Sequence, residues 1–284
     1  MSSELAGKTC LVTGANRGIG KATAMGLARL GAHVVLACRD AGRAEVARDE
    51  IRAASGNPQV EFMLMDLASM ESIRAFAHEF KRRHPALHVL INNAGIICRS
   101  RSETIDGIER TIAVNHLAPF LLTQLLVEHM TASAPSRIIT LSSSAHIRSR
   151  DLEDLQSETS YGPLEVYGRS KLANICFTYE LARQLSGTGV TANCVHPGAV
   201  KTQLLLDFFQ GGPLPKLLRS LTSWSFITPE KAAEQIVHLA ASADFAEVSG
   251  QYFVKGIAVK SSKISLGREV ASRLWARSLE LTNG

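Results

Sequence analysis

The chain predicts an α/β fold in which a parallel sheet is covered by helices on both faces. Two observations carry this. Short β-branched runs alternate with longer helical patterns from the N-terminus to about residue 254. A glycine-rich turn lies between the first such run and the first helix, where a sheet of this kind binds phosphate. The 284 residues are compatible with one large domain, and 45% apolar content is enough to bury its core.

The expected strands, in order, are Thr9–Thr13, Ala32–Ala37, Val60–Met65, His88–Asn92, Arg137–Ser142, Thr191–His196 and Gln251–Val254. Helical stretches run between them. The clearest opens at Thr228-Pro229-Glu230, with a capping hydroxyl, a proline at the first helical position and an acid at the positive end of the dipole. Ala232, Ala233, Ile236, Val237 and Ala240 then form its apolar stripe. Thr202–Ile227 breaks the alternation with leucines, phenylalanines, glycines and prolines, and is expected to be a helical or loop insertion forming a lid over an apolar substrate. No linker divides the chain, so residues 1–284 are read as one domain with a tail from Lys255.

Bulk properties narrow the function classes. A net charge of +5 without a dense basic run gives no sign of nucleic-acid binding. The five cysteines are widely spaced, and neither C-x-x-C nor a His/Cys cluster suggests zinc, so no metal is expected. Three fall in apolar strand-like or helical runs and read as buried thiols, which fits a reducing compartment. The N-terminal residues have no apolar signal core, and no run approaches the ~18 apolar residues of a spanning helix. A soluble, cytoplasmic protein is expected, with weak contact to a membrane surface open to the basic tail around Val259, Ile264, Leu266 and Leu274.

The turn reads Thr13-Gly14-Ala15-Asn16-Arg17-Gly18-Ile19-Gly20. Its glycines permit the tight bend, and the free N–H groups of the following helix face a pyrophosphate. An acid about 20 residues on would hold the ribose hydroxyl of NAD. Here that neighbourhood is Ala37-Cys38-Arg39-Asp40, and guanidinium groups at Arg17 and Arg39 suit a 2′-phosphate, so NADP is the expected cofactor. Asp40 reads as a helix cap. Asp66 reads as an acceptor for the adenine amino group, with a cap for the next helix as the competing role.

The chemistry sits in Tyr167-Gly168-Arg169-Ser170-Lys171. Residues i and i+4 share a helix face, so the Lys171 ammonium lies beneath the Tyr167 phenol. A cation there is expected to lower the phenol pKa and make Tyr167 an acid or base near neutrality. Tyr161 lacks a lysine four residues on and is expected at the pocket rim.

Taken together, Thr13-Gly14-x-x-x-Gly18-Ile19-Gly20, Asp66-Leu67, Asn92-Asn93-Ala94-Gly95, Asn115, Ser143, Tyr167-x-x-x-Lys171 and Pro197-Gly198 resemble the short-chain dehydrogenase/reductase family over residues 7–255. The stretches Ala37-Cys38-Arg39-Asp40, Val114-Asn115-His116-Leu117 and Ser170-Lys171-Leu172-Ala173-Asn174 are similar to its retinol dehydrogenase group. The resemblance implies a doubly wound Rossmann domain with a seven-stranded parallel sheet in the order 3-2-1-4-5-6-7.

It implies a catalytic set of Asn115, Ser143, Tyr167 and Lys171, with Ser143 chosen from the run Ser142-Ser143-Ser144 and Asn115 holding a relay water. It places the cofactor on Gly14, Asn16, Arg17, Gly18, Ile19, Gly20, Arg39, Asp66, Leu67, Asn93, Ala94, Gly95, Tyr167, Lys171, Pro197, Gly198, Val200 and Thr202. The function implied is hydride transfer between NADP(H) and a hydrophobic aldehyde, ketone or alcohol. Reduction of a pigment-like carbon–carbon double bond and a non-catalytic NADP(H)-sensing role are the alternatives. Pairing of two copies through the helices bearing Asn115 and Tyr167 is also implied.

Overall fold

The computed structural model describes residues 4–149, 151–200 and 226–283. Its core is one sheet. The strands are β1 (Thr9–Thr13), β2 (His33–Cys38), β3 (Val60–Leu64), β4 (Val89–Asn92), β5 (Ser136–Leu141), β6 (Val190–His196), β7 (Tyr252–Val254) and β8 (Ile257–Val259). They lie in the order β3-β2-β1-β4-β5-β6-β7-β8. The first seven are parallel and follow the expected order. The eighth is an addition: Lys255-Gly256 turns the chain back, and β8 pairs antiparallel with β7. Three residues at the sheet edge left too short a pattern to read.

The two faces of the sheet are written into each strand. On β1, Cys10 and Val12 face one layer while Leu11 faces the other. On β4, Val89 and Ile91 oppose Leu90 in the same way. This is the period-two alternation of a strand buried on both sides. One layer contains α1 (Gly18–Arg29), α2 (Ala41–Ser55) and, later in the chain, Pro229–Ala241. The other contains α3 (Met70–Arg83), the helical stretch Arg110–Ala132 and Pro163–Gln184, with Phe76, Phe80, Phe120 and Phe177 at its centre.

The Arg110–Ala132 stretch has three parts. A single helical turn, α4 (Arg110–Ile112), passes into a π-helical turn at Ala113–Leu117 and then into α5 (Ala118–Ala132). It is apolar and long enough to cross a membrane, but here it is a buried core helix. Its start is fixed by Glu109, whose fully buried carboxylate accepts the Thr111 and Ile112 N–H groups at 2.9 and 2.7 Å. Helix α6 (Pro163–Gln184) follows β5, and α7 (Pro229–Ala241) opens with Thr228 capping Lys231, as the sequence predicts.

The last helix, α8 (Arg268–Asn283), packs on α5 and α6. Trp275 stands 5.0 Å from the Phe120 ring and 5.9 Å from that of Phe177, and Ser278 bonds His116 at 2.9 Å. The part of these helices that α8 covers is not offered to a second copy. In the tail, Leu274 is buried, while Val259 and Leu266 are exposed. Most of the expected insertion lies outside the described residues. Its ends are described: Val200 and Ile227 form an isolated parallel bridge, so the two ends lie side by side.

Replacing Glu109 by Ala removes an acceptor for two buried N–H groups. The expected loss is about 1–3 kcal/mol of unfolding free energy. Urea denaturation checks it, with Glu109→Gln expected to fall between the two.

Candidate active site

Strands of a parallel sheet point their carboxyl ends the same way, and the loops that follow them share one rim. Along that rim runs a cleft of about 1360 Å³. Gly14, Asn16, Arg17, Gly18, Ile19 and Gly20 line one end, with Arg39, Asp66 and Leu67 beside them. Asn93, Ala94 and Gly95 lie along its floor. Ser143, Tyr167, Lys171, Pro197, Gly198 and Val200 line the other end. Thr202 lies outside the described residues, and Asn115 lies behind the wall, fully buried.

The glycine turn fits a dinucleotide. Gly14 and Gly18 have φ of +64° and +56°, a region that glycine enters freely. A Cβ on Gly20 would stand 2.4 Å from Asn93 Nδ2 and 2.5 Å from the Gly14 carbonyl oxygen. Asn93 closes the turn from below, donating to the Thr13 carbonyl at 2.7 Å, while Thr13 Oγ1 accepts the Asn93 and Ala94 N–H groups. No side chain caps α1. Its N-terminus therefore offers N–H donors and positive dipole to an anion.

Beyond the turn, Cys38 occupies the end of β2, and burial pushes its thiol up to about 11. Arg17, Arg39 and Arg43 line this end of the cleft. Asp40 caps α2 through the Arg43 N–H at 2.9 Å, as expected. Asp66 makes a local turn, accepting from the Ala68 N–H at 2.9 Å. The helix cap that competed for its role is Ser69, which accepts from Ser72.

At the opposite end, Ser143 follows β5, its Oγ accepts the Ala145 N–H at 3.2 Å, and it lines the cleft beside Tyr167. Ser142 is turned inward, donating to the Lys171 carbonyl at 2.9 Å, so the strand separates two adjacent serines as alternation requires. Lys171 Nζ lies 5.5 Å from the Tyr167 ring centre and donates to the Leu141 carbonyl at 3.2 Å. The expected lowering of the phenol pKa is not found. Burial disfavours the phenolate and holds Tyr167 up at about 12, with the Ser143 hydrogen bond opposing the rise. Burial also brings Lys171 down to about 8. The ammonium donates to a carbonyl and lowers the phenol pKa too little to offset its burial.

Asn115 is a brace. Its Oδ1 accepts the Ile96 N–H at 2.7 Å, and its Nδ2 donates to the Ile96 carbonyl at 2.9 Å and to Ser170 Oγ at 3.0 Å. Its side-chain oxygen and nitrogen are thus engaged within the protein. The π-turn around Asn115 breaks the regular helical ladder, and its carbonyl accepts from Asn174 Nδ2 at 2.9 Å. Tyr161 is absent from the cleft. Its hydroxyl donates to the Cys98 carbonyl at 2.9 Å and its ring joins the third core cluster.

The contacts of three residues were not readable from the sequence. Asn174 clamps the π-turn to β5. His146 pairs its Nδ1 with the Ser143 carbonyl at 2.8 Å. Gly168 lies inside a helix, where glycine is disfavoured, because a Cβ would stand 2.6 Å from the Ala145 carbonyl. That unusual glycine was the available signal for a close approach between α6 and the turn after Ser143.

Residues 8–211 match the short chain dehydrogenase family. The chain is 44% identical over 279 residues to retinol dehydrogenase 12 of Mus musculus, covering 98% of this chain and 87% of that protein. It is 44% identical over 280 residues to retinol dehydrogenase 13 of Homo sapiens, covering 97% and 84%. A solved structure of an uncharacterised protein from Mycobacterium paratuberculosis superposes with a TM-score of 0.79 at 34% identity, covering 98% and 94%. A short chain dehydrogenase from Burkholderia cenocepacia J2315 in complex with NADP gives 0.71 at 27% identity, covering 88% and 97%.

The Lys171 ammonium is destabilised by burial, and this sets a stability test. At pH 7 it is charged in the folded and unfolded states alike, so its desolvation cost is fully present. Between about 8 and the ordinary 10.5 the folded state sheds the proton first, and the cost is relieved as pH rises. Lys171→Met is expected to abolish turnover and raise unfolding free energy at pH 7 by about 1–3 kcal/mol. Denaturation from pH 7 to 10.5 is expected to show that advantage shrinking.

Proposed function

The chain belongs to the short-chain dehydrogenase family, and from that premise we propose an NADP(H)-dependent oxidoreductase interconverting a hydrophobic carbonyl compound and its alcohol. One observation carries the proposal. A single cleft joins an uncapped helix N-terminus flanked by arginines to Ser143, Tyr167 and Lys171, which line its other end together. A nicotinamide dinucleotide held along that cleft supplies the hydride.

The rest falls to the chain's own groups. Gly14, Asn16, Gly18, Ile19 and Gly20 receive the pyrophosphate, and Asp66, Leu67, Asn93, Ala94 and Gly95 border the adenosine half. Cys38 and Arg39 line the cleft at the end of β2, and this supports NADP(H) over NAD(H). Arg17, Arg39 and Arg43 therefore read a 2′-phosphate. Pro197, Gly198 and Val200 border the nicotinamide end.

Ser143 donates to the substrate oxygen as negative charge gathers there, and Tyr167 gives up its proton to that oxygen. A phenol held near 12 keeps its proton at neutral pH and is a competent donor to an alkoxide. Lys171 steadies the phenolate left behind. Asn115 and Asn174 position Lys171 and the Ile96 backbone. The substrate end is apolar: Ile96, Ile97, Ile147 and Leu164 line the cleft. Together with the relatives named retinol dehydrogenases, this supports a long apolar aldehyde or ketone, with a retinoid as one member of the class.

NADPH consumption against carbonyls of increasing apolar length, with NADH in parallel, tests the proposal. Turnover rising with length and requiring NADPH is expected. NADPH binding without turnover on any carbonyl would remove it. Tyr167→Phe is expected to keep NADPH affinity, read by fluorescence titration, and to lose at least a thousandfold in kcat. Arg39→Asp is expected to weaken NADPH binding tenfold or more and move preference toward NADH.

A further inference from the structure

At the other end of the sheet, three side chains converge that the cleft does not use. His33 opens β2, Glu61 is the second residue of β3, and His84 ends α3. The parallel register pairs Val35 with Glu61, so His33 and Glu61 point to the same face of the sheet as α3. His33 Nε2 lies 2.8 Å from Glu61 Oε1, and His84 Nε2 lies 3.7 Å from the same oxygen. One ligand atom from each of the three falls within 4.8 Å of the others.

His84 sets this cluster apart from an ordinary ion pair. Its side chain is 4% exposed, and its Nε2 has no hydrogen-bond partner among the described residues. A separation of 3.7 Å from Glu61 is too long for a hydrogen bond. A buried ring nitrogen without a partner is costly to maintain. Here it is aimed at a carboxylate oxygen that already faces a second imidazole.

We propose that His33, Glu61 and His84 form a binding site for a divalent transition-metal ion, Zn2+ foremost. Two imidazoles and one carboxylate make a zinc donor set, with the fourth position left to water. His33 and Glu61 are part-exposed, so water and the ion have an approach. At Zn–N and Zn–O lengths near 2.05 Å, tetrahedral ligand atoms stand about 3.3 Å apart. The two measured separations bracket that value. An entering ion opens the His33–Glu61 pair slightly and draws His84 Nε2 inward, giving it the partner it lacks. Burial lowers the His84 pKa despite the opposing charge of Glu61, which favours the neutral ring that a metal needs.

Arg83 pairs with Glu61 Oε2, leaving Oε1 for the ion. Its charge opposes the metal's and tempers affinity. The sequence hid the set because its members lie 28 and 23 residues apart, without a metal-binding motif. His33 is roughly 17 Å along β2 from Cys38, at 3.3 Å per residue. The ion would therefore tie β2, β3 and the end of α3 together without entering the cleft.

Zn2+ titration by calorimetry on the untagged full-length chain tests this, with Co2+ absorption as a second probe. One ion per chain is expected, with a thermal midpoint that rises with Zn2+ concentration. His33→Gln and Glu61→Gln are on part-exposed positions and keep the fold. Each is expected to weaken binding at least tenfold and abolish the thermal shift, while Cys98→Ser, at the one cysteine that is not buried, leaves both unchanged. No binding by the wild type, binding retained in His33→Gln and Glu61→Gln, or a thiolate charge-transfer band with Co2+ would overturn the site.

Discussion

The active end of this molecule depends on one carbonyl. Leu141 is the last residue of β5, and its oxygen accepts from both Lys171 Nζ and Asn174 Nδ2, each at 3.2 Å. Both donors come from α6, so a single strand-end acceptor fixes the rotation and depth of the helix carrying Tyr167. Asn174 reaches onward to the Asn115 carbonyl freed by the π-turn. Asn115 in turn holds the Ile96 backbone from both sides. A slip of α6 by one residue would break the bonds to Leu141 and Asn115, which makes the network a register device as well as a set of hydrogen bonds.

The same arrangement explains why Tyr167 and Lys171 are perturbed in opposite directions. Each is a neutral-favouring environment for its own group: the phenol rises because its anion is desolvated, and the ammonium falls because its cation is. At neutral pH the phenol stays protonated, so only the ammonium carries its desolvation cost. Bringing the proton off the phenol while the ammonium keeps its charge offsets that cost, since the phenolate and ammonium then compensate. A folded protein gains no stability from keeping such a pair apart and buried. Its retention is the kind of local cost that sites of chemistry carry.

Legibility in the sequence followed the range of the interaction. Strand alternation, the glycine turn and the Tyr167–Lys171 spacing are local patterns, and the strand expectations match the structure to within a residue at each end. Thr228 and Asp40 were readable as caps because a cap is a contact across three residues. The π-turn, the Asn174 clamp and the tilt of Lys171 toward Leu141 were not readable, since each joins positions tens of residues apart and is decided by packing. The phenol pKa failed for the same reason. Helical spacing places a cation near a ring but says nothing of how deeply both are buried, and here desolvation outweighs proximity.

The sheet's polarity separates two kinds of chemistry. Parallel strands begin together and end together, so one edge of the sheet gathers helix N-termini and the other gathers helix C-termini. At the strand ends, positive dipole and arginines favour an anionic ligand, and the cleft there grades into Ile96, Ile147 and Leu164. At the strand starts, α3 arrives with Lys81, Arg82 and Arg83 in its last turn, complementing its negative end. His84 follows as the cap residue, placed against Glu61. An anion site and an imidazole–carboxylate cluster thus occupy opposite rims because one constraint, the shared direction of the strands, sorts opposite charges to opposite ends. The two rims stand roughly 17 Å apart along β2, beyond the Debye length of about 8 Å at physiological salt, so solvent-facing charge at one rim is felt little at the other.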